Sequence, residues 1–357
     1  MCGALHRVGF VLLNDRKVMN PTPPNIKDVA RAAQCSIATV SCVLNKRGRI
    51  SELTQNRVRE ACRLLGYFPS SAGRSLRNRK TESIGILFYP SCAHIFRNVF
   101  YSEIMEGLED ELTKANYNLL LAGYDLSTQQ DSLPKFIREG SVDGVILMGG
   151  CPEEFKKRLH ETSLPFLLLD TDSSGAPADA VTSDGYRAMR DMTSLLYKKG
   201  HRRMLMIRHC TDNYNELIRC QGFDAEIKSL NLEASAETVQ VKTTEDAVRE
   251  IMSRLQGENP ITAVCTVNDD MAANVLHQLQ SAGIKIPEQL SITGFDDTEF
   301  SRYTSPPLTT IRINRSLMGS EGAKTILSRI QNPSAPVRKL NIPYILIDRQ
   351  SVSENPV

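Results

Sequence analysis

Three features of the 357-residue sequence predict a small helical head joined to a larger α/β body of parallel sheets. Two short amphipathic helices separated by a three-residue break fall within Asn25–Asn45. Basic charge is concentrated around them. From Ser83 onward, strand-like apolar runs alternate with amphipathic helical stretches, the pattern of parallel strands covered by helices. The body, about 275 residues, exceeds one comfortable doubly wound sheet, so two lobes with a cleft between them are expected.

The head is read in chain order. Asn25 is a good N-cap, with Asp28 three residues on as its reciprocal partner. Ile26, Val29, Ala30 and Ala33 then make one apolar helical stripe. The chain breaks at Gln34–Cys35. Ser36 caps a second helix, with Val40, Val43 and Leu44 facing inward and Ile37, Ala38, Ser41 and Cys42 on the other face. Two such helices fit a helix-turn-helix, which reads the DNA major groove. A third helix is expected from Ser51 to Leu65, burying Leu53, Val58, Ala61, Leu64 and Leu65, with Gly66 as its C-terminal glycine. Arg57, Arg59 and Arg63 are expected to be solvated or to face phosphates.

Charge supports that reading. The formal net charge of +2 conceals +9 on Asn25–Lys80, +2 on the first 24 residues and −9 on Thr81–Val357. A basic head on an acidic body is the footprint of a domain that docks on phosphates. The nine cysteines form no Cys-x-x-Cys pair or ligand spacing and read as free thiols of a reducing compartment. No apolar run approaches the ~20 residues of a membrane span, and Val8–Leu13 is too short for a signal peptide. A cytoplasmic, nucleoid-associated protein with no membrane contact is expected.

In the body, Ile84–Phe88, Leu119–Leu121, Val145–Met148, Phe166–Leu169, Met204–Ile207, Ala263–Thr266 and Leu290–Thr293 read as strands. Ile104–Ala115, Tyr186–Lys199, Leu217–Leu230 and Met271–Ala282 read as helices. Ligands of open α/β sheets bind at the carboxyl ends of the strands. Asp170, Asn268 and Asp296 each follow a predicted strand, and Arg219 begins a helix facing them. Two carboxylates, a guanidinium and an amide can together satisfy vicinal hydroxyls. Tyr89 and Phe100 are candidate walls of such a site. Asp184 and Asp269 read as helix N-caps and Asp297 as a turn residue. No phosphate-binding loop, metal-ligand spacing or catalytic histidine arrangement is present, so neither an enzyme nor a cofactor is expected.

The run Asp28-Val29-Ala30-x-x-Ala33-x-x-Ser36-x-x-Thr39-Val40-Ser41-x-Val43-Leu44-Asn45 resembles the lactose/galactose repressor (LacI–GalR) family. So do Asn98-Val99-Phe100-Tyr101, Arg219-x-x-Gly222-Phe223, Asn268-Asp269-x-Met271-Ala272 and Gly294-Phe295-Asp296-Asp297, and the likeness extends from Asn25 to about Ser351. The resemblance implies a periplasmic-binding-protein-like body of two lobes joined by three crossovers. It divides the chain into an unordered extension at 1–24, a DNA-binding domain at 25–68, and a hinge helix and linker at 69–82. A body at 83–357 follows, with an N-lobe at about 83–181 and 297–323 and a C-lobe at about 182–296 and 324–357.

By the same resemblance, Ser36, Ile37, Ala38, Thr39, Ser41, Cys42 and Asn45 contact DNA in the major groove. The hinge places Gly73 and Leu76 in the minor groove, where a leucine wedge kinks the duplex. Four positions depart from the pattern: Gln34 replaces a turn glycine, Cys42 replaces a frequent arginine, Gly73 weakens the hinge helix, and Val99 replaces a proline in the body. Asp170, Arg219, Asn268 and Asp296 would hydrogen-bond a small polar effector, a sugar in most relatives. The expected protein is a homodimeric repressor of a carbohydrate-use operon on a near-palindromic double-stranded operator. An activator, or a regulator that takes a purine as co-repressor, is the alternative.

Overall fold

The computed structural model describes residues 24–44, 47–67, 80–89, 99–124, 133–150, 152–172, 177–233 and 235–355. Residues 1–23, Asn45, Gly73 and Leu76 lie outside the described residues. The chain divides into two compact units, 1–79 and 80–357.

The first unit holds α1 (Ile26–Ala32), α2 (Ile37–Leu44) and α3 (Glu52–Leu65). Asn25 and Asp28 form a reciprocal capping box at the start of α1. Ser36 Oγ accepts from Thr39 N at 3.0 Å and caps α2. Val29, Ala30, Ala33, Val40, Val58 and Ala61 build the small core. Gln34 holds the turn with φ at +50°, so the expected left-handed position is occupied here by a non-glycine residue. Arg57 donates to the carbonyls of both Ala33 and Gln34 and clamps that turn, which corrects its assignment to solvent. The expected burial of Leu53 and Leu64 is also corrected: they are 73% and 70% exposed. At about 100° per residue both fall on the flank of α3 beyond Ala61, about 120–140° round the helix from Val58. Leu65, at the end of the helix, is exposed as well.

The body contains β1 (Ser83–Phe88), α4 (Val99–Lys114), β2 (Asn118–Gly123), α5 (Lys135–Arg138), β3 (Gly144–Met148), α6 (Glu153–Glu161), β4 (Phe166–Leu169) and β5 (Asp179–Ser183). It continues with α7 (Gly185–Lys198), β6 (Met204–His209), α8 (Tyr214–Ser229), β7 (Ala236–Val241), α9 (Thr244–Leu255), β8 (Ala263–Thr266), α10 (Asp269–Ser281) and β9 (Ser291–Thr293). The last elements are β10 (Thr310–Ile313), α11 (Arg315–Gln331), β11 (Lys339–Ile342) and β12 (Tyr344–Ile347).

The N-lobe sheet has the order β11-β5-β4-β3-β1-β2 and is parallel throughout. Its central strands are buried on both faces, so they read as unbroken apolar runs. Side chains alternate: Ile84 and Ile86 join the core that includes Ile104, Leu108 and Met318, while Leu87 joins Tyr124 and Phe155 on the opposite face. The C-lobe sheet has the order β7-β6-β8-β9, also parallel, with α7 packed on α8 and α9 on α10.

Two expected lobe boundaries are corrected. Residues 297–313 stay with the C-lobe, because Thr293 bridges Thr309, Asp296 bridges Arg312, and β10 pairs antiparallel with β12. Residues 324–342 stay with the N-lobe: α11 runs unbroken to Gln331 against α4, and β11 pairs with β5. The crossovers therefore fall near Asp184, Asn314 and Pro343.

Candidate ligand cleft and nucleic-acid interface

Parallel strands direct their carboxyl ends to one edge of each sheet, and in the body the two edges face one cleft of about 710 Å³. Phe88, Tyr89, Phe100, Tyr101, Met148 and Asp170 line it from the N-lobe. His209, Asn213, Asn215, Glu216, Arg219, Asn268 and Asp296 line it from the C-lobe. All six residues singled out in the sequence, Asp170, Arg219, Asn268, Asp296, Tyr89 and Phe100, thus meet in one place.

Arg219 is the pivot. It lies on α8, which crosses α7 closely because Gly222 has no side chain: a Cβ there would stand 2.2 Å from the Tyr186 carbonyl. Its Nη2 donates to Asp296 Oδ1 at 3.0 Å, Nη1 donates to the Val267 carbonyl, and the guanidinium covers the Phe295 ring at 3.7 Å. Asp296 follows β9 in a left-handed conformation, φ +106°, which turns its carboxylate toward Arg219. Arg315, at the start of α11, donates to the Asp296 carbonyl and forms a paired contact with Glu103 at 2.9 and 2.7 Å.

Asp170 approaches from the N-lobe, also left-handed at φ +56° and almost fully buried. Asn215 of the C-lobe donates to its carbonyl at 2.9 Å and to its carboxylate at 3.0 Å, and the Tyr101 hydroxyl donates to it as well. Burial raises the Asp170 carboxyl to about 7, with Asp296 adding to the rise and Arg219 opposing it. Burial likewise raises Asp296 to about 6, against the pull of Arg219 and Arg315. Tyr101 is held well above the usual phenol range by burial. The cleft therefore concentrates carboxyl groups that can donate or accept near neutrality.

Asn268 serves as the N-cap of α10, accepting from Met271 N at 2.8 Å, while its amide edge lines the cleft. Asp269 is therefore not the cap, correcting that expectation. It accepts from Thr298 and Thr310 in the C-lobe interior. Asp184 does cap α7. Asp297 is more than a turn residue: Arg312 and Arg349 bond its buried carboxylate at 2.6 Å each. Despite burial, these bonds lower it to about 2.

Sequence reasoning missed the pair His209–Glu216. His209 ends β6 and Glu216 lies in the first turn of α8, with Oε1 2.9 Å from Nδ1. A histidine at a strand end followed by a glutamate in the next helix was the only available signal.

In the head, α2 offers Ile37 and Ala38 to solvent, with Thr39, Ser41 and Cys42 partly exposed beside them. Ser36 uses its hydroxyl in the cap and to pair with Thr39 Oγ1 at 2.9 Å. Among the described residues Cys35, Cys42, Cys62, Cys210, Cys220 and Cys265 are free thiols, and no helix is long and apolar enough to cross a membrane.

Residues 25–70 match the model of bacterial regulatory proteins of the lacI family, and residues 193–352 match a periplasmic binding protein-like domain. The HTH-type transcriptional repressor PurR of Aliivibrio fischeri (strain MJ11) is 32% identical over 336 residues, covering 92% of this chain and 98% of that protein. The chain belongs to the lacI family. A second relative of this lacI-family regulator, the ribose operon repressor of Haemophilus influenzae, is 31% identical over 335 residues, again covering 92% and 98%. Among solved structures, the transcriptional regulator CelR–cellobiose complex superposes with a TM-score of 0.69 at 25% identity, over 92% of this chain and 99% of that one. The Lac repressor dimer bound to operator and an anti-inducer shares the fold, with a TM-score of 0.79 at 20% identity over 93% and 100%. These relatives make the lacI-family chain a DNA-binding transcriptional regulator with a ligand-binding body, and its relatives are repressors.

Proposed function

We propose that this regulator is a homodimeric repressor in the cytoplasm, without catalytic activity, whose operator affinity is set by a small polyhydroxylated effector, a sugar, in the cleft. One observation carries the reading: the Arg219–Asp296 ion pair and Asn268 of the C-lobe converge with Asp170 of the N-lobe on one 710 Å³ cleft. A ligand held by groups from both lobes binds one lobe arrangement better than another, and only such differential affinity can shift an equilibrium. Ile37, Ala38 and Cys42 of α2 supply an apolar reading face suited to thymine methyl groups, with Thr39, Ser41 and Asn45 positioning it on phosphates beside the Ser36 cap. Gly73 and Leu76 act at the minor groove beside the partner's hinge.

The four aromatic side chains Phe88, Tyr89, Phe100 and Tyr101 along one wall favour a second reading, a flat heterocycle such as a purine. A thermal-shift screen of the full chain with cellobiose, D-ribose, D-glucuronate and hypoxanthine separates the two. Stabilisation by a sugar and not by hypoxanthine supports the main reading. Stabilisation by hypoxanthine alone replaces it.

A further inference from the structure

The cleft holds a polar pair that the ion-paired cluster does not use. His209 projects from the end of β6, and Glu216 from the first turn of α8. Glu216 grips the histidine twice: Oε2 accepts from the His209 backbone N at 2.9 Å and Oε1 lies 2.9 Å from Nδ1. Glu216 is itself held, its backbone N–H donating to the Asn213 cap at 3.2 Å. A carboxylate fixed on Nδ1 selects the Nδ1–H tautomer and orients the ring, so that Nε2 becomes the working atom. Nε2 makes no hydrogen bond among the described residues, and the His209 side chain, 38% exposed, lines the cleft. Glu216 and Arg219 are three residues apart on α8, about 4.5 Å along the axis. A ligand gripped by Arg219 therefore lies within reach of the imidazole.

We propose that His209, oriented by Glu216, is a specificity-determining ligand contact that, as the imidazolium, donates its Nε2–H to an oxygen of the effector. This inference rests on the effector reading above and names a residue that reading does not require. The hydrogen bond that Nδ1–H donates to the Glu216 carboxylate raises the His209 imidazole above its ordinary value, which keeps the donor form populated closer to neutral pH. The charged groups around it are Arg208 on its own strand, Asp212, Glu216 and Arg219 on the α8 side, and Asp170 and Asp296 from the other strand ends. Of these, Glu216 favours the imidazolium through its hydrogen bond and its charge, and desolvation by burial opposes it. Affinity is highest below the imidazole pKa and falls as pH rises through it.

The test uses the full chain and has two arms. In the first, nitrogen-15 NMR of the histidine side chains follows His209, assigned through His209→Asn, between pH 5 and 9. The expected result is a single Nδ1–H tautomer with a pKa above 6.5 that drops in Glu216→Gln. A ring that titrates as free imidazole with mixed tautomers, unchanged by Glu216→Gln, overturns the proposal whatever binds. In the second, cellobiose, D-ribose, D-glucuronate and hypoxanthine are titrated calorimetrically into wild type, His209→Leu, His209→Gln and Arg219→Ala. A loss of about tenfold in His209→Leu, partly restored in His209→Gln, supports it. Affinity lost in Arg219→Ala but intact in His209→Leu overturns this proposal and leaves the effector reading standing. A chain that binds none of the four counts against both.

Discussion

At the residue scale, several side chains act against their intrinsic preferences, and each gives a measurable consequence. Gln34 occupies a left-handed turn that costs a non-glycine residue roughly 1–2 kcal/mol, partly offset by the lower chain entropy of an unfolded glutamine. Gln34→Gly is expected to stabilise the head by about 0.5–1 kcal/mol, read as slower amide exchange at Val40 and Val58. Cys42 lies partly exposed on α2, where an arginine could reach guanine O6 and N7. Selection from random DNA should return sites richer in guanine for Cys42→Arg than for the wild type; identical sites would mean that Cys42 reads no base. Asp170 gives a pH signature. Its folded pKa, about 7, lies above that of an unfolded aspartate, so it stabilises fully below about pH 4 and loses that contribution as pH rises through 7. Asp296, raised to about 6, acts in the same direction. Asp170→Asn does not titrate, so relative to the wild type it should gain stability between pH 5 and pH 8, by about 3 kcal/mol at ~1.4 kcal/mol per pH unit over about two units. Asp297, lowered to about 2, works oppositely: its stabilisation is present above pH 4 and fades only in strong acid.

At the scale of elements, legibility follows burial. Strands covered on both faces, such as Phe166–Leu169 and Ala263–Thr266, leave continuous apolar runs whose bounds the sequence marks to the residue. The capping box at Asn25–Asp28 and the left-handed Gly66 at the end of α3 are equally local signals. Peripheral strands were less legible, because Ala-Glu-Thr-Val-Gln-Val of β7 and Lys-Leu-Asn-Ile of β11 mix polar and apolar residues on half-exposed edges. The lobe boundaries were misplaced for a related reason: β11 joins a sheet whose other strands lie more than 150 residues earlier, and no local pattern records that pairing. In the cleft, the six residues at strand ends, on α8 and at the start of α4 were legible, whereas His209 and Glu216 converge only once β6 and α8 are placed. The exposed leucines of α3 show how a helical stripe can mislead. Val58→Ala, in the core, is expected to destabilise the head by about 2 kcal/mol, whereas Leu64→Ala should change it by less than about 0.5 kcal/mol. Urea unfolding that ranks them in reverse would place Leu64 against a packed surface.

At the scale of the whole molecule, the proposed effector would bias the geometry of the body. The lobes meet at three crossovers near Asp184, Asn314 and Pro343, and polar links span the cleft: Asn215 to Asp170, and Arg315, on the N-lobe, to the Asp296 carbonyl. A ligand that engages Arg219 and Asp296 competes with or reinforces those links, so its binding energy is available to shift the lobes. Coupling of this kind commonly changes affinity 5–150-fold between two sites. The central claim is that the cleft governs DNA binding, and the most direct measurement is operator affinity, by fluorescence anisotropy, with and without the compound chosen by the thermal-shift screen. The operator is the site selected from random DNA, and the proteins are wild type and Arg219→Ala. The account predicts at least a fivefold change on adding the compound to the wild type, and full operator affinity with no response in Arg219→Ala. A wild type that binds the compound with unchanged operator affinity, or an Arg219→Ala protein that responds like the wild type, would contradict it.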